Sequence, residues 1–190
     1  MLYMGIIEII NDLTTKNVYR CKDKKSNFVM FATLLYSNNV QFSNKVTNNI
    51  WLGNFVDSSN QTFMVQNNIK VIVNCSKDLP FYFTTQEVPY QYRIPVDDDR
   101  RENSFYIMYI YLPKIVEIIR FHVNRGENVY IHCHAGMQRS ACVMVAYLVR
   151  ETGMSPSEII PYILRVRPIC FKPYINFQKS LDNYYMLLKK

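Results

Sequence analysis

Nine consecutive residues, His132-Cys133-His134-Ala135-Gly136-Met137-Gln138-Arg139-Ser140, set a thiol, a guanidinium and a hydroxyl close together along the chain. A strand pattern, Val129-Tyr130-Ile131-His132, runs into this stretch, and an apolar run from Ala141 to Val149 leaves it. Five residues separate Cys133 from Arg139. A tight loop between a strand and a helix is what capture of a dianionic phosphate needs. Its successive backbone N–H groups face inward as a nest, and the helix adds the positive end of its dipole. Gly136 lets the backbone turn with no side chain in the way. His134, Ala135, Gly136, Met137, Gln138 and Arg139 are therefore the candidate substrate-binding residues.

The same positive field stabilises a thiolate, so Cys133 is the candidate nucleophile near neutral pH. Arg139 can hold two equatorial phosphoryl oxygens in its planar fork and binds them better as charge spreads over them in the transition state. A lysine would not match that geometry. Ser140 has two readings of equal weight: its hydroxyl donates to the cysteine sulfur as it leaves, or it is an ordinary helix N-cap. His132 is expected to hydrogen-bond backbone within the loop and to set the electrostatics of the cysteine; a strand-end histidine with a local partner is the plainer alternative. The chemistry calls for no metal and no cofactor.

These residues need a rigid frame. From Lys45 onward, short β-branched runs alternate with longer amphipathic stretches, the pattern of an α/β fold with a central, mostly parallel twisted sheet flanked by helices. Lys70-Val71-Ile72-Val73-Asn74-Cys75 reads as a buried strand, Tyr92-Arg93-Ile94-Pro95 as a short one, and Val129-Tyr130-Ile131-His132 as the central one. Between the last two, Phe105, Met108, Tyr109, Leu112, Ile115, Val116, Ile119 and Val123 recur at helical spacing. Pro113 predicts a kink or a late helix start, and Gly126 closes the element. Ala141 to Val149 is apolar on every face, as a helix through the middle of a core is, and Gly153 ends it. Ser155-Pro156-Ser157-Glu158 supplies an N-cap, a proline at the first helical position and a capping-box glutamate, while Pro161 should disturb the helix that follows.

At 190 residues and 49% hydrophobic composition, the chain holds one substantial core rather than two domains. Residues 1–45 read as a helical extension and residues 46–190 as the catalytic domain. The extension carries an apolar stripe (Ile6, Ile9, Ile10, Leu13), a basic patch (Arg20, Lys22, Lys24, Lys25) and a second apolar segment from Phe28 to Tyr36. The stripe packs on its own domain in the plainer reading and on a second copy in the other. A net charge of +7 favours anionic partners: phosphoproteins, nucleic acid or an acidic membrane surface. Five cysteines with no CxxC pair fit neither a disulfide framework nor a zinc site, and point to an intracellular, reducing compartment, cytoplasm or nucleus. Glu8 and the lack of a basic lead make the N-terminus a poor signal peptide, and no apolar run approaches membrane-spanning length.

Besides the loop, six stretches carry a resemblance to a known family: Val46-Thr47-Asn48-Asn49-Ile50-Trp51-Leu52-Gly53-Asn54, Ile69-Lys70-Val71-Ile72-Val73-Asn74, Ile94-Pro95-Val96-Asp97-Asp98, Ala146-Tyr147-Leu148, Arg165-Val166-Arg167-Pro168 and Asn176-Phe177. By their order and spacing, over roughly residues 46–187, the chain resembles the compact dual-specificity protein phosphatases of the cysteine-based protein tyrosine phosphatase superfamily. That resemblance implies hydrolysis of phosphotyrosine and phosphoserine or phosphothreonine on proteins, through a phosphocysteine intermediate. It also implies a general acid, because family members carry an aspartate three residues after the proline of an Ile-Pro strand end, which here is Asp98. Such an acid protonates the leaving oxygen and later deprotonates the attacking water. Asp97 and Asp99 stay open as alternatives, since a run of acids is ordinarily a solvated turn. This chain departs from the family at Pro173-Tyr174, where Pro-Asn is usual, at His134, and in a slightly long stretch between Asp98 and Pro113. Some virus-encoded relatives dimerise through an N-terminal helix, which makes residues 1–13 a candidate homodimer segment; a viral chain would add the virion as a location.

Two further readings compete. An RNA 5′-phosphatase would use the same loop, but such relatives usually follow the arginine with Thr-Gly, where Ser140-Ala141 stands here. A phosphate-binding module with little turnover would usually lack the cysteine or the arginine. Arg100, Arg101, Arg165 and Arg167 either contact a second phosphate or, in the plainer reading, are solvated surface charges. Cys75 or Cys142 either traps an oxidised Cys133 or, preferably, is a buried structural thiol.

Overall fold

The computed structural model describes residues 41–190. The apolar stripe, the basic patch and the second apolar segment expected of the N-terminal extension lie outside the described residues. Five strands form one sheet: β1 (Ser43–Lys45), β2 (Ile50–Gly53), β3 (Ile69–Asn74), β4 (Tyr90–Arg93) and β5 (Asn128–His132). Their spatial order is β1-β2-β5-β3-β4, with β1 antiparallel to β2 and the other pairs parallel. The sheet thus begins three residues before position 46.

β5 lies between β2 and β3, and Val129, Tyr130 and Ile131 are wholly buried. A parallel strand covered on both faces reads as a continuous apolar run rather than an alternating one. Val129 and Ile131 face one core cluster, whereas Tyr130 joins Trp51, Met64, Ile69, Ile72 and Val88 in another, the period-two alternation that assigns the two faces. Parallel strands end along a common edge. Gly53, Asn74, Arg93 and His132 therefore finish together, and the loops that leave them converge.

The described helices are α1 (Gln61–Gln66), α2 (Glu102–Asn124), α3 (Arg139–Thr152), α4 (Pro156–Val166) and α5 (Gln178–Leu188). α3 runs through the core, against α2, α4 and α5 on its sides and β2 and β5 beneath. It ends where Gly153 takes the left-handed conformation at φ 72°. α4 opens as expected, with Pro156 at its first position and the Ser155 N–H donating to the Glu158 carboxylate at 2.8 Å. None of the described helices is long and apolar enough to cross a membrane.

Both internal prolines are absorbed. α2 starts at Glu102, not late, and continues through Pro113, and α4 continues through Pro161. A mid-helix proline costs about 3 kcal/mol. Met108, Leu112, Ile115, Val116 and Ile119 are buried on both sides of Pro113, and each such side chain contributes about 1.5–3 kcal/mol on burial, so packing outweighs the lost hydrogen bond. Beyond the end of α2, the Gly126 N–H donates to the Val123 carbonyl at 2.9 Å, with φ at 75°.

Candidate active site

Residues 133–138 connect the end of β5 to the start of α3, at the edge where the parallel strands finish. Cys133 is 1% exposed, and its Sγ accepts the Gly136 N–H at 3.2 Å and the Ser140 hydroxyl at 3.2 Å. Gln138 occupies the N-cap position and Ser140 lies inside the helix. The Ser140 hydroxyl therefore serves the sulfur, and the N-cap reading falls. Burial by itself would push the Cys133 thiol up, but the Arg139 charge and the Ser140 hydroxyl outweigh it and hold the thiol below its ordinary range. Cys75, Cys142 and Cys170 behave oppositely. Burial pushes all three up, Cys170 to about 12, so they remain thiols.

Gly136 has φ 67°, and a Cβ there would stand 2.5 Å from the Gly53 carbonyl oxygen and 2.9 Å from Arg167 Nη2. The close approach of the end of β2 thus requires glycine as much as the turn does. His134 lies with its ring 4.9 Å from that of Phe55, and its carbonyl accepts the Phe55 N–H at 3.3 Å. Ala135 is half-buried beside it. The Met137 carbonyl accepts the Phe171 N–H at 2.9 Å. His132 stacks on Tyr130, and burial, joined by the charges of Arg93 and Arg139, keeps its ring neutral with a pKa pushed down to about 3.

Arg139 opens α3 and turns back across the loop. Its Nη1 donates to the Val96 carbonyl at 3.3 Å, and its Nε lies 3.6 Å from Asp98 Oδ2, buried and with no hydrogen-bond partner among the described residues. The three aspartates part company here. Asp97 faces Lys77 at 3.7 Å. Asp99 accepts from the Ser104 hydroxyl at 2.6 Å and the Arg101 N–H at 3.1 Å, and the Ser104 bond is the main cause that holds its carboxyl low. Asp98 is the one that reaches Arg139, and its other oxygen accepts from Asn176 Nδ2 at 2.7 Å. A thiol held below its usual range, a half-buried guanidinium, a hydroxyl on the sulfur and one carboxylate are thereby gathered around one loop.

Residues 50–186 match the family described as the dual specificity phosphatase catalytic domain. The chain belongs to the dual-specificity phosphatase family. It is 30% identical over 145 residues to tyrosine-protein phosphatase vhp-1 of Caenorhabditis elegans, covering 76% of this chain and 21% of that protein. The chain thus spans about a fifth of the length of the first curated relatives it matches. Among solved structures, a mouse dual specificity phosphatase described as putative and complexed with zinc tungstate superposes with a TM-score of 0.69 at 26% identity, over 78% of this chain and 89% of that one. Human DUSP28 does so with a TM-score of 0.69 at 23% identity, over 79% and 97%. The fold is that of the dual-specificity phosphatases, and the domain is a hydrolase of that family.

Three residues of this phosphatase domain make contacts that the sequence reading did not give them. Arg167 is wholly buried, not a solvated charge: its Nε donates to the Gly136 carbonyl at 2.9 Å, and its Nη1 to Asn44 Oδ1 at 2.6 Å and the Gln41 carbonyl at 2.9 Å. It braces the phosphate loop from behind. Its position at the C-cap of α4, four residues after buried Ile163, was the available signal. Arg100, Arg101 and Arg165 are exposed. Gln138 commits its side chain to the Lys172 and Tyr174 carbonyls, at 3.2 and 2.8 Å. Asn176, noted only as part of a motif, reaches Asp98 across 78 residues of chain, and no local pattern announces that contact.

Proposed function

We propose that this domain hydrolyses phosphotyrosine and phosphoserine or phosphothreonine on proteins through a phosphocysteine intermediate, without a metal. The observation that carries the reading is the paired donation of the Gly136 N–H and the Ser140 hydroxyl to Cys133 Sγ, beside Arg139. The loop's N–H groups and the Arg139 fork bind the phosphoryl oxygens. The Cys133 thiolate attacks phosphorus in line, and the P–O bond to the substrate breaks as Asp98 gives its proton to the leaving oxygen. Water then attacks the phosphocysteine, Asp98 takes its proton, and the P–S bond breaks with the Ser140 hydroxyl donating to the departing thiolate. Inorganic phosphate leaves and the starting thiolate is restored.

Hydrolysis of p-nitrophenyl phosphate in the presence of chelator, compared between wild type and Cys133→Ser, tests the chemistry. Phosphotyrosine and phosphothreonine peptides and triphosphate-ended RNA test the substrate class. Turnover of both peptides that disappears with Cys133 is the expected result. Preferential action on RNA, or turnover that survives Cys133→Ser, would overturn it.

A further inference from the structure

The acid and the nucleophile stand on separate loops, and a chain of contacts in this protein joins them. Gln138, within the phosphate loop, donates through Nε2 to the Lys172 and Tyr174 carbonyls and accepts the Asn176 N–H on Oε1 at 3.0 Å. Its side chain is buried, and the three part-buried bonds it makes hold the backbone of residues 172–176. Asn176 then donates through Nδ2 to Asp98 Oδ1 at 2.7 Å. Arg100, two residues beyond Asp98, stacks its guanidinium 4.2 Å from the centroid of the Tyr174 ring. Arg100 holds φ at 59°, a conformation that costs a non-glycine residue about 1–2 kcal/mol and persists where the surroundings impose it. Tyr174 stands where the resembled family usually has asparagine.

We infer that Asn176, anchored by Gln138, is a positioning residue that fixes the rotation of the Asp98 carboxyl in register with the phosphate loop. A donor on Oδ1 leaves Oδ2 to carry the transferable proton, and Oδ2 is the oxygen on the side of Arg139, the residue proposed to hold the phosphoryl group. This inference rests on the reading of Asp98 as general acid. It makes the acid loop and the phosphate loop one unit, so that proton donation survives even though Asp98 lies on an exposed turn.

General-acid catalysis matters most when the leaving oxygen is strongly basic, and that separates positioning from mere stability. Wild type, Asn176→Ala, Asn176→Leu and Asp98→Asn are compared on p-nitrophenyl phosphate, whose phenolate leaves easily, and on phenyl phosphate, whose phenolate does not. The alkylation rate of Cys133 by iodoacetate checks that the phosphate loop is intact. Asp98→Asn should lose kcat on phenyl phosphate far more than on the nitro compound. Asn176→Ala should show the same selectivity, with the loss on phenyl phosphate about tenfold larger than on the nitro compound, a part of the roughly 10²–10⁴-fold that a positioned acid contributes, and with KM little changed. Asn176→Leu, close in size but without a donor, should be at least as selective, and it carries the test if the alanine variant does not fold. Equal losses on both substrates in the Asn176 variants, with selectivity retained in Asp98→Asn, would overturn the inference and leave the general-acid reading standing. Absence of selectivity in Asp98→Asn would overturn both.

Discussion

Replacing Ser140 by alanine removes one of the two donors on Cys133 Sγ, at 3.2 Å, and leaves the Gly136 N–H in place. A hydrogen bond to a charged group contributes about 1.5–3 kcal/mol. With one donor remaining, the lower part of that range applies, which corresponds to about 10- to 30-fold in rate. The bond is needed most when the thiolate leaves, so breakdown of the phosphocysteine slows while its formation is less affected. Stopped-flow hydrolysis of p-nitrophenyl phosphate should then show a burst of one phenolate per active site followed by a slower steady state. The hydroxyl is also among the causes that hold the Cys133 thiol low, so the pH at which iodoacetate inactivation is half-maximal should move upward in the variant. A steady-state rate within twofold of wild type, without a burst and with an unmoved alkylation midpoint, would refute the role given to this hydroxyl.

Arg167→Met keeps an apolar stem but removes the donors to Gly136, Asn44 and Gln41 and leaves buried Asp57 without a neighbouring positive charge; a loss of about 3–5 kcal/mol in urea unfolding is expected, and a loss below about 1 kcal/mol would return Arg167 to the status of a surface charge. His132 has a folded pKa of about 3 against 6.5 for the free side chain, so the stability tied to its neutral form is fully present above pH 6.5 and is lost as pH falls towards 3, by roughly 3 kcal/mol at pH 4. His132→Gln should flatten that part of the acid unfolding curve, and an unchanged slope would show that the ring does not titrate as buried.

What the amino-acid sequence by itself determined is local. Cys133, Gly136, Arg139 and Ser140 lie within one turn of loop and the first turn of the helix it feeds, so their spacing alone fixes how they can meet. The strands at 69–74 and 128–132, the all-round apolar helix α3 and the capping box of α4 were likewise readable, because backbone periodicity and capping involve neighbours a few residues apart. Tertiary structure decided the rest. Asp97, Asp98 and Asp99 are chemically identical neighbours, and only their partners separate them: distant Lys77 and Asn176 for the first two, and Ser104, in the first turn of α2, for the third. Pro113 reads as a helix breaker until the burial on both sides of it is known. Arg167 reads as a solvated cation until acceptors from residues 41, 44 and 136 surround it, since what a charge costs to bury depends on partners that the chain brings from elsewhere.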